Sequence, residues 1–356
     1  MKLSYKAIIV SLTLVISLGA FAKDGALINL KVRGEFYPKG FEKDLQVNLD
    51  FFQDGVGVEP QSKVPFDTVS VKEGQIVPHY YVNTTEIGLY LGILVEVEKT
   101  GNRQALQRIA DVLDTLEKAP SWQGLFYWPY DIENGQLKIS NGLISAVDNA
   151  NLNFALAGVA GAYFDSDEIL KKNIVKRIED ILISQKKGWS DLYDKSTGLL
   201  YAGWDVNADV PLGYHIDRKA NESRLAPLWA VLITNDMGED SVPPDSFTKM
   251  KLFTEKYSIN GETYNPMLTW DGAYFQAMLP AIWLNERELI PDYSIIEDLT
   301  FIQAIYAAQH NIPLVSSSAT TEDGYEAFGV PSLSESNVKF KNEFMEGKTG
   351  TPHALA

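Results

Sequence analysis

Apolar positions recur every three or four residues along most of this chain, and that spacing predicts a protein built from helices. Ile87, Tyr90, Leu91, Leu94 and Val95 share one helical face. Asn83 and Glu86 make a capping-box-like start before them, and Gly101 ends the run. Leu106, Ile109, Ala110, Leu113 and Leu116 repeat the pattern until Pro120 stops it. Residues 148–164 are apolar or small on all sides, with Ala150, Ala155, Ala157, Gly158, Ala160, Gly161 and Ala162 suited to close packing. Asp165 and Glu168 resemble the cap of an amphipathic helix through Ile169, Leu170, Ile174, Ile178, Ile181 and Leu182. Segments 222–233, 245–255, 272–284 and 295–309 continue the series. Segment 41–52 is ambiguous, because Leu45, Val47, Leu49 and Phe51 alternate as in a strand; a helix is preferred.

Helices apolar all round thus alternate with amphipathic ones, as inner and outer rings of helices would. Two helices and their connections fill each repeat of ~35–40 residues, the period of a helical-hairpin array. The expected fold class is all-α, a closed (α/α)6 toroid rather than an open solenoid of the same period. Long aromatic loops recurring at one end of the hairpins favour closure. Residues 23–356 are expected to form a single domain, with 23–77 as its irregular N-terminal part.

Those loops contain an internal repeat. Gly124-Leu-Phe-Tyr-Trp-Pro-Tyr-Asp131 is echoed by Gly198-Leu-Leu-Tyr-Ala-Gly-Trp-Asp205, and each copy is followed after 17 positions by another acid, Asp148 or Glu222. Each second acid opens an apolar, helix-like run. Aromatic faces beside carboxylates are what a sugar-processing cleft requires.

Composition narrows the function. Lys2 and Lys6, the apolar stretch 7–18 and Ala20-Phe21-Ala22 read as a signal peptide over 1–22, too short to span a bilayer comfortably. An exported protein, periplasmic or secreted, is expected. Zero cysteines leave no disulfide or thiolate metal site. Loss of the two signal lysines takes the net charge from −16 to −18. So acidic a body repels nucleic acid and anionic lipid, and points to a neutral polymer or small molecule. His79, His215, His310 and His353 are scattered, without zinc spacing, and the chain has no phosphate loop, dinucleotide motif or nucleophile elbow. No metal and no cofactor are expected.

At its motifs the chain resembles the bacterial glucoamylase-like α/α-barrel superfamily, which includes the β-1,2-glucanases of glycoside hydrolase family 144 and the cyclising domain of cyclic β-1,2-glucan synthases. It is most similar to a periplasmic branch, domain-of-unknown-function family 3131. Four segments carry the resemblance: Thr84-Thr-Glu-Ile-Gly-Leu-Tyr-Leu91; Gly124–Asp131 with Val147-Asp-Asn-Ala-Asn-Leu152; Asn221-Glu-Ser-Arg-Leu225; and Asp323-Gly-Tyr325 with Phe328-Gly-Val-Pro331. The chain departs from its relatives in having Gln276 after Trp270-Asp-Gly-Ala-Tyr-Phe275, and Ser316-Ser317-Ser318, where they carry acids. It also stops at Ala356 where they continue into another helix pair, so either the last hairpin is missing or the sequence is truncated.

The resemblance implies a glycoside hydrolase or transglycosylase acting on a β-glucan or exopolysaccharide. Glycosidic cleavage needs one protonated and one ionised carboxyl group. Glu222 is assigned as general acid and Asp148 as base or sugar-hydroxyl ligand, with the reverse left open. Each is equally a plain helix cap on its own evidence. Tyr127, Trp128, Tyr130, Trp204, Trp270 and Tyr325 are candidate stacking platforms for pyranose rings, against the ordinary fate of aromatics in a core. Asp131, Asp205 and Asp271 are candidate sugar ligands, against turn and cap roles. Arg224 completes the substrate-binding set, although holding Glu222 or another acid in place is its preferred role. The other reading is a non-catalytic polysaccharide-binding or export-accessory protein on the same fold.

Overall fold

The computed structural model describes residues 41–312, 316, 318–319, 325–326 and 329–336; side chains are described from residue 45 onward, except in the two short strands 318–319 and 325–326. The signal-peptide expectation and Ser317 lie outside the described residues. The described chain divides into two compact units, one of residues 41–217 with 225–250, the other of 218–224 with 251–336.

The first unit opens with α1 (Phe41–Phe51), which settles the ambiguous segment as helix. Helices α2 (Thr84–Lys99) and α3 (Arg103–Lys118) form a hairpin, as do α4 (Ala146–Tyr163) and α5 (Ile169–Ser184). Short α6 (Lys186–Asp191), α7 (Leu225–Ile233) and α8 (Asp245–Thr248) follow. Helices α2, α4 and α7 pack side by side in one layer, and α3 and α5 pack together over α2 and α4 as a second layer. The layers follow the periodicity. Helix α3 buries Ala105, Leu106, Ile109, Val112, Leu113 and Leu116, mostly one face, whereas α4 buries residues all round its first three turns.

The seam between α2 and α4 is the tightest packing that matters here. A Cβ on Gly88 would stand 3.1 Å from Ala155 Cβ, 3.2 Å from Leu152 Cα and 3.3 Å from Asn151 O. Glycine therefore lets two helix backbones approach where a larger side chain would hold them apart. The seam brings the first turns of α2 and α4 together.

Each of those helices is entered from a strand. Residues 81–82 run into α2 and pair with 130–133, which pairs in turn with 136–139. Residues 143–145 run into α4 and pair with 203–205, which pairs with 210–211. Among the described residues no sheet exceeds three strands, so the fold class is all-α. The repeat holds at the backbone level: Gly124 and Gly198 both take positive φ, 82° and 76°, and each is followed at once by a short strand.

The second unit holds α9 (Tyr274–Met278), α10 (Glu286–Leu289) and α11 (Ser294–His310) around a core of Met267, Leu268, Ala277, Ile296, Leu299, Ile302, Val330 and Leu333. Three helix expectations need correction. Segment 245–255 is helical only in the four residues of α8, because Lys251 bridges to Arg218 and Thr254 to Met267 in extended form. Segment 272–284 is α9 followed by a 3-10 turn at Leu279–Ile282, since Pro280 cannot continue the α pattern. The cap expected from Asp165 and Glu168 makes no side-chain bond to the helix; Glu168 pairs instead with Arg103.

The seam predicts a contrast between two glycines. Gly88→Val should cost about 1–3 kcal/mol in urea unfolding, the usual price of overpacking. Gly158→Ala, in α4 with nothing within 4 Å of its Cβ position, should stabilise by roughly 0.5–1 kcal/mol.

Candidate functional site

The first turns of α2 and α4 bring three carboxyl groups together. Ser145 is the N-cap of α4: its Oγ accepts from Asp148 N at 3.2 Å and donates to Asp148 Oδ2 at 2.5 Å. Asn83 caps α2, its Oδ1 accepting from Thr85 N at 3.1 Å. Across the seam Thr85 Oγ1 donates to Asp148 Oδ1 at 2.7 Å. Asn83 Nδ2 donates to Asp67 Oδ1 at 3.0 Å, and Thr68 Oγ1 donates to Asp67 Oδ2 at 2.9 Å. Glu86 follows Thr85 in the same helical turn.

Two fields compete at these acids. Helix N-termini favour ionised carboxylates, and burial disfavours them. Burial wins. It raises Glu86 well above the ordinary carboxylate range, and the charges of Asp67 and Asp148 push in the same direction. Burial also raises Asp148, against the hydrogen bonds from Ser145 and Thr85 that favour its charged form. Neither residue is wholly hidden, but Glu86 Oε2 is shut off from solvent and has no hydrogen-bond partner. Tyr81 is raised first by burial and then by its bond to Asp67.

The entering strands bring aromatic residues to the same end of these helices. Trp128 N donates to Leu143 O at 2.8 Å, and Trp204 pairs with Ile144, both on the strand that leads to Ser145. Asn149 in α4 fastens the first aromatic loop, accepting from Phe126 N and donating to Phe126 O. Trp128 is 37% exposed. Trp204 is half-buried, with one face stacked on Trp122 at 4.9 Å. The pattern of Trp122, outside the repeat motif, gave no sign of this. Asp131 is half-buried in the strand beside Tyr81.

Other expected site residues have structural work instead. Tyr130 is fully buried, its hydroxyl donating to Pro120 O and accepting from Tyr127 N, so it has no free face for a sugar. Tyr127 packs edge-on against it and is also buried. Asp205 Oδ1 accepts from Asn207 N and Ala208 N and so caps a turn. Outside the candidate set, His215 is a structural histidine, bound to Asp194 at 2.9 Å and stacked on Tyr201. Glu86, Asp67 and Trp122 are the residues that sequence reasoning did not assign to the site; Glu86 was visible only as a capping acid.

In the second unit, Glu222 is half-buried and begins a 3-10 turn, Glu222–Arg224, rather than a regular α-helix. Arg224 is a buried clamp, not a substrate ligand. Its Nε and Nη2 donate to Glu286 at 2.9 and 2.7 Å, and it also donates to the carbonyls of Asn221, Gln276 and Ala277. Trp270 is 42% exposed, with the Arg218 guanidinium 4.8 Å from its ring centre. Asp271 is buried; its Oδ1 caps Ala273 N at 2.9 Å, its Oδ2 is partnerless, and burial raises its pKa. Gln276 accepts from Trp270 N at 3.2 Å, and Ser316 Oγ accepts from Phe275 N at 2.9 Å. The Tyr325 side chain lies outside the described residues.

A cavity of about 660 Å³ lies in the first unit between α3 and the 130–139 hairpin, lined by Gln61, Lys63, Asp111, Asp114, Lys118 and Lys138 among others. Its lining holds no aromatic ring and none of the enclosed acids, so its volume is a weaker guide to chemistry than the α2–α4 seam. Among the described residues no group of His, Asp and Glu is placed to hold a metal ion.

No protein-family profile matches the chain, and no curated protein matches it in sequence. Solved structures do match. An endo-β-1,2-glucanase from Talaromyces funiculosus, in complex with sophorose, is 13% identical and aligns over 82% of this chain and 68% of that one, with a TM-score of 0.66. The endo-β-1,2-glucanase from Chitinophaga pinensis, in complex with sophorotriose and glucose, is 17% identical over 78% and 71%, with a TM-score of 0.61. A β-1,2-glucanase from Parabacteroides distasonis is 15% identical over 78% and 44%, with a TM-score of 0.57. The chain therefore shares the α/α fold of these structures, as its motifs implied.

The clamp assigned to Arg224 has a thermodynamic signature. Arg224→Met, which strands the buried Glu286 carboxylate, should cost about 3–5 kcal/mol in chemical unfolding. The double variant with Glu286→Leu should recover most of that loss, which a substrate-binding role for Arg224 would not produce.

Proposed function

We propose that the chain is an exported carbohydrate-active protein, a glycoside hydrolase or transglycosylase that acts on a β-linked glucan. One observation carries the proposal: two acids whose pKa burial raises, Glu86 and Asp148, sit at adjoining helix starts, and two tryptophan-bearing segments pair with the strand that enters one of those helices. Cleavage of a glycosidic bond passes through an oxocarbenium-like state and needs a proton donor and an ionised partner. Enclosure supplies the raised pKa, and the tryptophans supply apolar faces for pyranose rings. The fold shared with β-1,2-glucanases supports a β-1,2-linked glucan as the first substrate to try.

In this reading Asp148 is the ionised base or hydroxyl ligand: burial raises it, and two side-chain hydroxyls that donate to its oxygens oppose that raise. Glu222, in the other unit, keeps the general-acid role that its motif resemblance implies. The alternative, a polysaccharide-binding protein that has lost catalysis, draws its support from Gln276, which stands where relatives carry an acid and is committed to the Trp270 backbone.

The test is release of reducing ends from a panel of glucans and bacterial exopolysaccharides, β-1,2-glucan included. Residues 23–356 should release them, and Asp148→Asn and Glu222→Gln should each lower the rate by ~100-fold or more. Release unchanged in both variants removes the two assignments and keeps the hydrolase. Binding of one polymer without release establishes the accessory reading.

A further inference from the structure

Asp148 and Glu86 stand in neighbouring first turns, yet they are served very differently. Asp148 receives a hydroxyl on each oxygen, Thr85 on one and Ser145 on the other. Glu86 keeps one oxygen enclosed and bare. Thr84 Oγ1, at the same helix start, is likewise enclosed without a partner, and Thr84 is fully buried. Buried polar atoms are nearly always paired, so this end of α2 holds hydrogen-bonding capacity that the chain itself leaves unused.

The titratable groups facing Glu86 are Asp67 from the segment before the 69–78 hairpin, Tyr81 from the strand entering α2, and Asp148 from α4. All three are acids. A second full charge beside Asp148, in an enclosed place, would be opposed by both neighbouring carboxylates. Asp148 has a hydroxyl donor on each oxygen; Glu86 is served by its own backbone N–H and by Asn83, too little to offset its burial, and keeps one bare oxygen that suits a carboxyl O–H.

We propose that Glu86 and Asp148 act as a donor–acceptor pair that grips two neighbouring hydroxyls of one sugar ring, Glu86 donating through its carboxyl O–H and Asp148 accepting through its carboxylate. A sugar hydroxyl both donates and accepts, so one donor beside one acceptor suits an adjacent pair of them better than two carboxylates, which only accept. The inference rests on the glucan reading above. It adds Glu86 as a binding residue and adjacent ring hydroxyls as the feature it recognises.

Two measurements test it. The first compares the thermal midpoint of the parent and Glu86→Gln from pH 4 to 9. A carboxyl whose folded pKa lies above its unfolded value, about 4.3 for Glu, contributes stability at low pH that is lost as pH rises through the folded pKa. The amide cannot ionise, so the variant should gain on the parent as pH rises. A difference that stays constant across the range overturns the protonated Glu86.

The second measurement follows β-1,2-glucan binding by tryptophan fluorescence in the parent, Glu86→Gln and Glu86→Ala. Glutamine keeps a donor and should bind within about threefold of the parent, with the fall at high pH abolished. Alanine should lose about tenfold or more, the scale of a hydrogen bond left unmade. Equal losses in the two variants overturn the donor role. If the parent binds no glucan of the panel, the glucan reading falls and takes the sugar half of this inference with it. The thermal comparison then still decides whether Glu86 holds its proton.

Discussion

The close approach of α2 and α4 is the constraint on which the candidate site depends. Gly88 against Asn151, Leu152 and Ala155 permits it, and only that approach lets Thr85 on one helix donate to Asp148 on the other. The first turns of both helices meet there; the strand entering α2 carries Tyr81, and the strand entering α4 is paired with the segments that carry Trp128 and Trp204. The acids are therefore held where dipole and burial act in opposite senses, and where burial prevails at Glu86 and Asp148. A site of this kind is set by packing first and by charge second.

The protein shows how it treats an acid it uses only for structure. Glu286 is buried and receives a two-pronged bond from Arg224. Asp54 receives Arg108 at 2.6 Å and Lys63 at 2.7 Å. Asp194 is answered by Ser196, Thr197 and His215, and those bonds hold its pKa below the ordinary range. Against those three, Glu86 and Asp271 are each raised by burial and keep one oxygen without a partner, and at Glu86 two neighbouring acids add to the raise. Leaving a carboxyl so placed destabilises the fold, and such conflicts concentrate where a ligand or a reaction makes use of them.

Much of this was legible from spacing, and the failures have physical reasons. Helices α2, α3, α5 and α11 each present repeated apolar positions and end close to where the pattern ends. The short strands were overlooked, although Asn134-Gly135 and Asn260-Gly261 are two-residue hairpin turns with positive φ at both positions. Periodicity over eleven or more residues does not register strands of two to four. Asp148 was found through the repeat. Glu86 was hidden because the position that caps a helix and the position that faces the site are the same one. Arg224 was legible as a residue that holds an acid in place, but Glu286, 62 residues away, was not legible as that acid.

The repeat copies backbone more faithfully than chemistry, and that difference bears on function. Gly124 and Gly198 open equivalent strands, but the acids that follow them enter unlike surroundings. Asp148 is the third residue of an 18-residue helix, capped by Ser145, whereas Glu222 starts a three-residue 3-10 turn that ends in the clamped Arg224. Two carboxyl groups do acid and base work at one pH only when their environments separate their proton affinities. A faithful duplication would have produced two equivalent acids and no such division. Divergence at the two acids, on a backbone frame that stayed constant, is the condition that the acid and base roles proposed above require.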